Sequence, residues 1–530
     1  MKNSRMFAVF AAILTTASWS TTGFSQDAST PLSALGLTDE QSEELPAWIN
    51  DRLDPPPGPI QATMKPLSEI EPRDSVNNLI GNADWTHIIT EPGSYYLTSN
   101  VHGEPNKGGI LIEAQPVTLN LNGFSVVGSD EQSEDRNGIQ AGDHARITNG
   151  IIENWTGIGL RGNDNIIAMD VSIINVSISN PETGFSRAGI WLRNQAHVER
   201  CRSVNITENG ILVGSESTIK DCFVSDAYFG IFAGNLGDLG PYQITGTIAS
   251  ECDTGFTVSQ ARIKDCIATE CSIGFRGGNG SALTDCTSFF SSDLGFNIQG
   301  DSRLSGCLSF VDSGTGFFIE GRITLDNCHA WRTRANGSGF ANGFIIQGDA
   351  SLNGCTATLS AGSGFTLMLA VAGLYNDGAT LTGCRALQNT AVGFAAVPYS
   401  TFIDCVSKDN EGFQFLGGSD FVRLERCRFA VTEPHASTSQ RVLISSGIGT
   451  VIQDCVFDIP FQWGQLARRG TIRGNYFNSD VSMADPLSHN TLVVQNFFRN
   501  GPASAPNIPM VLDPEQAGPW SNLANIDPNE

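Results

Sequence analysis

Charged side chains are scarce in this sequence, and most of those present are acidic. They make up 16% of the residues, against about 25% in a typical globular domain, and the formal net charge is −24. So acidic a chain is not expected to bind DNA or RNA, because that requires a basic surface facing the phosphates. Polyanionic glycans are unfavourable ligands for the same reason, unless a cation or a local arginine patch offsets the field.

Long apolar runs are missing as well. No stretch reaches the roughly 18 consecutive apolar residues of a membrane-spanning helix. The apolar segment 6–19 is shorter and follows Lys2 and Arg5, which together are typical of a secretory signal peptide over residues 1–26. We therefore expect an exported protein, secreted, periplasmic or at the cell surface, without a transmembrane segment.

Glycine, by contrast, is abundant and regularly spaced. A Gly followed by Phe or Ile recurs at intervals of about 21 residues, with occasional insertions. These copies begin at Gly138, Gly157, Gly189, Gly210, Gly230, Gly255, Gly274, Gly295, Gly316, Gly343, Gly364, Gly393 and Gly412. Clear copies such as Gly295-Phe-Asn-Ile-Gln-Gly300 alternate apolar and polar residues, which predicts a short strand followed by a turn.

Cysteine follows the same period, mostly in an apolar-x-x-Cys pattern. The 13 cysteines are Cys201, Cys222, Cys266, Cys286, Cys307, Cys328, Cys355, Cys384, Cys405, Cys427 and Cys455, with Cys252 and Cys271 in a shorter second column. Thr247 fills the one skipped position. In-register stacking holds side chains about 4.8 Å apart, farther than the roughly 3.8 Å between the Cβ atoms of a disulfide. We therefore predict a buried ladder of free thiols; scattered disulfides or a metal are the alternatives, although no Cys-x-x-Cys pair supports zinc.

Such a short repeat cannot bury its own apolar face, whereas stacked copies can. The sequence thus predicts an all-β parallel β-helix, a solenoid of single coils, over residues 85–500. A leucine-rich repeat has a similar length but needs a regular Leu and Asn pattern, which is missing. Residues 27–84 are expected to form an acidic linker or cap with a short helix at 38–53, and residues 501–530 a Pro-rich tail, in a monomeric chain. Asp residues that precede Cys, such as Asp221 and Asp285, are expected in turns.

These repeats resemble the pectate-lyase-like superfamily of right-handed parallel β-helix proteins. The resemblance covers the coil repeats and the entry segments Glu91-Pro-Gly-Ser-Tyr-Tyr-Leu97 and Val117-Thr-Leu-Asn-Leu-Asn-Gly-Phe124, which are similar to the first coils of secreted bacterial members without assigned function. The resemblance implies a right-handed solenoid. It does not imply one activity, because the superfamily includes polysaccharide lyases, glycoside hydrolases, sugar epimerases, phage tailspikes and adhesins.

The signatures of the familiar enzymes of that superfamily are missing. The pectate lyase Arg-x-Pro-x-x-Arg and the polygalacturonase set are absent, and Glu433-Pro-His-Ala436 matches the alginate epimerase motif without its final acid. Two hypotheses remain. The first is an exported protein that binds an extracellular polysaccharide along its lateral face as a surface or scaffold protein, with no cofactor required. The second is a polysaccharide lyase or glycoside hydrolase acting on such a glycan.

Outward-facing positions of the Gly-Phe strands carry the candidate substrate-binding residues. Alternation points the Phe inward and the next residue outward. The outward set is Arg161, Trp191, Arg193, Phe232, Arg276, Asn297, Gln299 and Phe318. Aromatic rings can stack on sugars, while amides and guanidinium groups bind hydroxyls or carboxylates. The alternative is a face covered by loops, with the rings packed beneath them.

Three further groups of residues are candidates for function: an aromatic column, a set of catalytic residues and an acidic column. Phe289, Phe310 and Trp331 follow Cys at the same offset, so Trp331 belongs to a second aromatic platform or to a stack that only stabilises the sheet. The candidate catalytic residues are His329 as base, Arg332 as charge-stabilising group and Glu320 as acid. The alternative is that they belong to a solvated loop without a catalytic role.

Asp226, Glu251 and Glu270 also share an offset and should stack. Like charges at that spacing repel unless they are bridged, and calcium prefers such oxygen ligands. These three residues are therefore a candidate Ca²⁺ site; a solvated acidic corner is the alternative.

Overall fold

The computed structural model describes residues 73–131, 135–177, 187–234, 240–334, 341–369, 378–432, 440–483, 491–498 and 522–523. Within these residues the protein is a parallel β-helix of about 18 coils, each of roughly 21 residues. One short 3-10 helix, Val76–Asn78, is the only helix in this described part. The predicted all-β solenoid is confirmed.

Strands of successive coils pair in parallel and form three sheets. Sheet A contains Trp85–Ile89, Gly108–Ile112, Ile139–Ala141, Leu160–Gly162, Ala188–Leu192, Thr254–Val258, Ile273–Gly277, Leu294–Gln299, Thr315–Glu320, Phe344–Gln347, Phe365–Met368, Phe394–Ala396, Phe415–Gly417, Val442–Ile448, Phe461–Arg468 and Val481–Met483. Sheet B contains Asp74–Ser75, Gly93–Tyr96, Val117–Asn120, His197–Glu199, Thr218–Lys220, Tyr242–Thr245, Ala261–Lys264, Ala282–Thr284, Ser302–Ser305, Ile323–Asp326, Ser351–Asn353, Thr380–Thr382, Thr401–Ile403, Arg423–Glu425, Val451–Gln453, Thr471–Arg473, Leu492–Val494 and Asn522–Leu523.

Sheet C contains the strands that follow the cysteine positions. They are Val101–His102, Ser125–Val127, Ile248–Ser250, Ile267–Thr269, Thr287–Phe289, Leu308–Phe310, His329–Trp331, Thr356–Thr358, Arg385–Leu387, Val406–Lys408, Arg428–Ala430, Val456–Phe457, Tyr476–Phe477 and Phe497–Phe498. Four long strands each run through two sheets. Ala145–Glu153 and Ile167–Val176 continue from sheet B into sheet C, and Arg202–Val213 and Phe223–Ala233 from sheet C into sheet A.

Alternation along the sheet A strands separates the core from the outer face. In Leu294–Gln299, Phe296 and Ile298 are buried, whereas Asn297 and Gln299 point outward. Because the register is in phase from coil to coil, the inward Phe rings stack, with centroids 4.6–5.0 Å apart and planes nearly parallel. The stacked rings are Phe256, Phe275, Phe296, Phe317, Phe344, Phe365 and Phe394. Each such contact adds about 0.5–1.5 kcal/mol beyond the burial of the ring itself.

Eleven of the cysteines form the predicted ladder between sheets B and C, and the shorter second column, Cys252 and Cys271, lies between sheets C and A. All 13 are buried free thiols. Many donate to the carbonyl oxygen two residues earlier, as Cys286 Sγ does to Thr284 O at 3.4 Å. Thr247 copies this bond, with its hydroxyl 3.2 Å from Thr245 O. The thiol therefore acts as a small core residue that also satisfies a turn carbonyl.

The corner between sheets B and C has a constant length. From strand His197–Glu199 to strand Phe497–Phe498, two residues connect each sheet B strand to the following sheet C residues. The first has a positive φ, as at Asp221 (51°), Asp285 (51°) and Gly306 (64°), and the second is the Cys or its replacement. Because Asp and Asn tolerate the left-handed conformation better than most residues, the predicted turn role of the Asp before Cys is confirmed.

The ends of the chain contribute short strands to sheet B. Asp74–Ser75 pairs with Gly93–Tyr96, so strand pairing begins ahead of the predicted boundary at residue 85. Asn522–Leu523 pairs with Leu492–Val494, so part of the predicted tail 501–530 also joins the sheet. The predicted signal peptide and the helix at 38–53 lie outside the described residues and stay predictions. Nowhere in the described ranges is there a helix of the length and apolarity needed to span a bilayer.

Candidate functional site

The outer face of sheet A gathers the predicted substrate-binding residues into two rows. Strand register aligns Arg161 with Trp191, Arg276 with Asn297, and Asn297 with Phe318. The neighbouring row aligns Gln299 with Glu320, and Glu320 with Gln347. Because the coils stack in register, residues that are far apart in sequence lie in lines parallel to the long axis of the solenoid.

A cleft of about 440 Å³ opens at the N-terminal end of these rows. Its lining includes Arg161, Trp191, Arg193, Asn194 and Leu212, which come from three successive coils. Leu212 is buried and follows Trp191 directly in the outward row, so it forms an apolar end of the cleft. The cleft therefore combines an indole ring, two guanidinium groups and an amide.

Arg161 and Trp191 are in direct contact. The Arg161 guanidinium carbon lies 4.6 Å from the centroid of the Trp191 ring, within the range of a cation–π interaction. Arg161 is half-buried, and its burial, together with the nearby positive charge of Arg193, lowers the pKa of its guanidinium. Because a guanidinium remains protonated at neutral pH despite such a shift, Arg161 stays a fixed positive charge inside the cleft.

A ladder of side-chain hydrogen bonds holds the edge of the cleft. The Asp164 amide N–H donates to Asp143 Oδ1 at 3.2 Å. In the next coil, Asn194 Nδ2 donates to Asp164 Oδ1 at 3.3 Å, and Asn194 Oδ1 accepts from the Ser215 hydroxyl at 2.8 Å. With both ends of its amide engaged, Asn194 is fixed in orientation at the rim.

The lining of the cleft contains no Asp, Glu or His among the described residues. General acid–base chemistry needs such a group within hydrogen-bonding distance of the reacting atom. The groups that the described lining offers to a ligand are an aromatic face and hydrogen-bond donors and acceptors.

The remaining residues of the rows differ in exposure. Phe232 is half-buried and packs edge-on against Phe229, with ring centroids 5.5 Å apart. Arg276 is exposed, while Phe318 is half-buried. The Oδ1 atom of Asn297 is shielded from solvent and has no hydrogen-bond partner among the described residues. Unsatisfied buried acceptors of this kind are uncommon in folded proteins.

The candidate catalytic residues lie on different sheets. Glu320 ends a sheet A strand and accepts a hydrogen bond from Gln299 Nε2 at 3.1 Å. His329 begins a sheet C strand, and the sheet B strand Ile323–Asp326 separates the two in sequence. Arg332 follows on the corner after sheet C with a φ of 58°. The structure thus does not bring Glu320 to His329 and Arg332, and their catalytic role stays a prediction.

The second aromatic platform forms a stack on sheet C. Phe310 and Trp331 are stacked with centroids 4.4 Å apart, and Phe289 meets Phe310 edge-on at 5.3 Å. All three are half-buried. The stacked rings fit the predicted stabilising role at least as well as a sugar platform, because their faces are occupied by one another.

The acidic column is present, with its three members on successive coils. Asp226, Glu251 and Glu270 are exposed, have φ values of 53–56°, and lie on successive coils. Across the described ranges, no three Asp, Glu, His or Cys side chains converge as metal ligands. The structure thus gives no support to the Ca²⁺ site, which remains a prediction.

Sequence reasoning missed Asn194 and a pair of exposed rings in the later coils. Tyr399 and Phe421 stack with centroids 5.1 Å apart, are about half exposed, and have φ values of 61° and 55°. They share a corner position between sheets A and B. The available signal was a bulky residue at a turn position of consecutive repeats, where Gly or Asn is the usual choice.

Comparisons with known proteins find distant similarities to solved structures. No family model and no curated protein matches this chain. Among solved structures, the chain is similar to the catalytic unit of a GH87 α-1,3-glucanase from Streptomyces thermodiastaticus, at 13% identity and TM-score 0.40, over 61% of this chain and 69% of that one. The parallel β-helix of this chain is established by its own strand pairing, independently of this similarity.

Two other solved structures are similar over much of the chain. A family PL6 alginate lyase matches at 9% identity and TM-score 0.27, over 78% of this chain and 97% of that one. The tailspike of Escherichia coli bacteriophage HK620 matches at 10% identity and TM-score 0.27, over 82% and 71%. At these identities the similarity concerns the fold alone, so ligand and activity rest on the residues of this chain.

Proposed function

We propose that this protein is an exported, non-catalytic polysaccharide-binding protein whose lateral binding face is sheet A, centred on the Arg161–Trp191 cleft. The observation that carries the proposal is the cleft itself, in which a half-buried guanidinium lies over an indole and, among the described residues, no carboxylate or imidazole lines the walls. Ligand sites of this kind combine apolar and aromatic surface with a few fixed polar groups.

The row beyond the cleft extends the proposed site along the rod. Phe232, Arg276, Asn297 and Phe318 follow at intervals of one or two coils, which is about 5–10 Å along the axis. A linear glycan lying parallel to the axis would meet a ring or a hydrogen-bonding group at nearly every step. An extended polymer is therefore favoured over a small sugar.

Removal of the Trp191 ring tests this proposal. We expect Trp191→Ala to weaken binding to a polysaccharide ligand at least tenfold, corresponding to about 1.4 kcal/mol. Binding is measured by affinity electrophoresis and calorimetry against a panel of neutral and acidic polysaccharides. Phe223→Ala is the matched control, because Arg202 lies over Phe223 on sheet C, 5.6 Å from its centroid, in a pair that is not part of the cleft.

The same preparations distinguish the catalytic alternative. New reducing ends together with ultraviolet absorbance from unsaturated products would identify a lyase, and reducing ends alone a hydrolase. Either result would replace the binding proposal, especially if Glu320→Gln abolished turnover. Equal binding by wild type and Trp191→Ala would show that the glycan is held elsewhere on the rod.

A further inference from the structure

Within the proposed function, the cleft also indicates the chemical class of the glycan. We propose that Arg161 and Arg193 bind an oxyanion carried by the polysaccharide, a uronate carboxylate or a sulfate ester. The protein as a whole is strongly acidic, so this preference is opposite to what its net charge suggests.

The first argument is that neither guanidinium has a carboxylate partner. Within the described residues, no Asp or Glu oxygen lies within salt-bridge distance of Arg161 or Arg193. Several other arginines of the solenoid are paired with a carboxylate of a neighbouring coil, such as Arg322 with Asp301 at 3.1 Å and Arg426 with Asp404 at 2.8 Å. In this acidic chain, an unpaired arginine pair inside a cleft is available for an external anion.

The second argument is that the two positive charges are close enough to oppose each other. Arg193 lowers the pKa of Arg161, and burial of Arg161 acts in the same direction. An anion placed between them would offset both effects, whereas a neutral sugar hydroxyl would offset neither. Guanidinium groups also match the two oxygens of a carboxylate or sulfate with parallel hydrogen bonds.

The third argument comes from the hydrogen-bond ladder at the rim. Its members in the two preceding coils are carboxylates, Asp143 and Asp164, but the member that lines the cleft is the neutral amide Asn194. A carboxylate at residue 194 would have neutralised Arg193 or repelled an anionic ligand. The rim therefore keeps hydrogen-bonding capacity at the cleft without adding negative charge.

The overall charge of −24 does not prevent such binding. At physiological ionic strength, the interactions of exposed charges are screened over about 8 Å. A sugar inside the cleft is therefore governed mainly by the two guanidinium groups beside it. Distant carboxylates are expected to slow the approach of a polyanion more than they weaken the bound state.

The test compares glycans that differ only in charge. Dissociation constants are measured for polygalacturonate and its methyl ester, and for a sulfated galactan and its desulfated form. We expect the charged member of at least one pair to bind tenfold more tightly than its neutral form, and Arg193→Gln to remove that difference. Arg193 is exposed, so this change should leave folding intact; Arg202→Gln on sheet C is the control.

The outcomes separate this inference from the proposed function. A preference for polygalacturonate would identify a carboxylate, and a preference for the sulfated galactan a sulfate ester; either supports the inference. Equal binding of charged and neutral forms, still lost in Trp191→Ala, would overturn the inference and leave the binding function standing. Absence of binding across all four glycans and the wider panel would overturn both.

Discussion

Asp312 is a carboxylic acid in the core of the rod, and its charge should cost the protein stability above neutral pH. It is fully buried between sheets C and A. Its Oδ1 accepts from the Ser291 amide at 2.7 Å and from the Ser288 hydroxyl at 3.3 Å, and its Oδ2 accepts from the Ser309 hydroxyl at 2.7 Å. These bonds favour the anion, but desolvation outweighs them and raises the pKa of Asp312 to about 6.

The magnitude follows from that shift. A pKa raised from 3.8 to about 6 corresponds to about 3 kcal/mol of preference for the protonated form, at about 1.4 kcal/mol per pKa unit. Because folding raises the pKa of Asp312, the folded state binds this proton more tightly than the unfolded chain does. Stability is therefore not reduced below pH 3.8, and it falls as the pH rises from 3.8 through about 6.

Asp312→Asn should remove this penalty, because later coils already carry Asn at the same place. Asn389 Oδ1 accepts from the Ser360 amide at 3.0 Å, as Asp312 does from the Ser291 amide. Asn410 repeats the arrangement one coil later, accepting from the Asn389 amide at 2.9 Å. We therefore expect the variant to be more stable than wild type near pH 7.5 by up to about 3 kcal/mol, and by much less near pH 4.5.

The assay is urea denaturation followed by circular dichroism at both pH values. Midpoints are compared rather than extrapolated free energies, because stacked repeats do not always unfold in one step. Asp285→Asn is the control, because it makes the same substitution at a carboxylate that is exposed at a corner instead of buried in the core. An Asp312→Asn effect that did not change with pH would refute the reasoning.

Two further predictions concern the core thiols and a strained corner. The 13 buried thiols should resist a thiol reagent such as DTNB in the native protein and react fully after denaturation; rapid reaction of several thiols without unfolding would contradict the packed ladder. Phe290 is half exposed and has a φ of 55°, a conformation that is strained for a bulky residue. Asn154, Asn175 and Asn205 occupy the same column, so Phe290→Asn should leave the stability of the protein unchanged or raise it by about 1 kcal/mol. A clear loss of stability would show that the contacts of the ring contribute more than the backbone strain costs.

The parts of the fold that repeat in place were predictable from the sequence. The cysteine column, the inward Phe and the turn Asp each recur at a fixed offset, so a single coil geometry explains them all. The outward row from Arg161 to Phe318 followed from the same alternation. These predictions succeeded because in-register stacking converts sequence period directly into spatial neighbourhood.

Features that change residue type along a column were not predictable in this way. Cys252 and Cys271 begin a column that continues through Ser291 to Asp312, and the change from thiol to hydroxyl to carboxylate hid it. Asn194 was missed for the same reason, since its ladder begins with Asp. Glu320 and His329 are close in sequence, but the strand between them carries the chain across sheet B, so their proximity along the chain did not become proximity in space.

The corner between sheets B and C has a constant length of two residues. We therefore expect this protein to become longer or shorter by complete coils. The longer connections, such as those from Val176 to Ala188 and from Met368 to Thr380, join sheet A to its neighbours, whereas each described corner between sheets B and C from Glu199 onward contains two residues. Deletion or duplication of one complete repeat, from Cys286 to Gly306 for example, should preserve the corner and rejoin the thiol ladder. Gain or loss of single repeats thus changes the length of the solenoid without altering this corner, while the connections beside sheet A are free to vary in length.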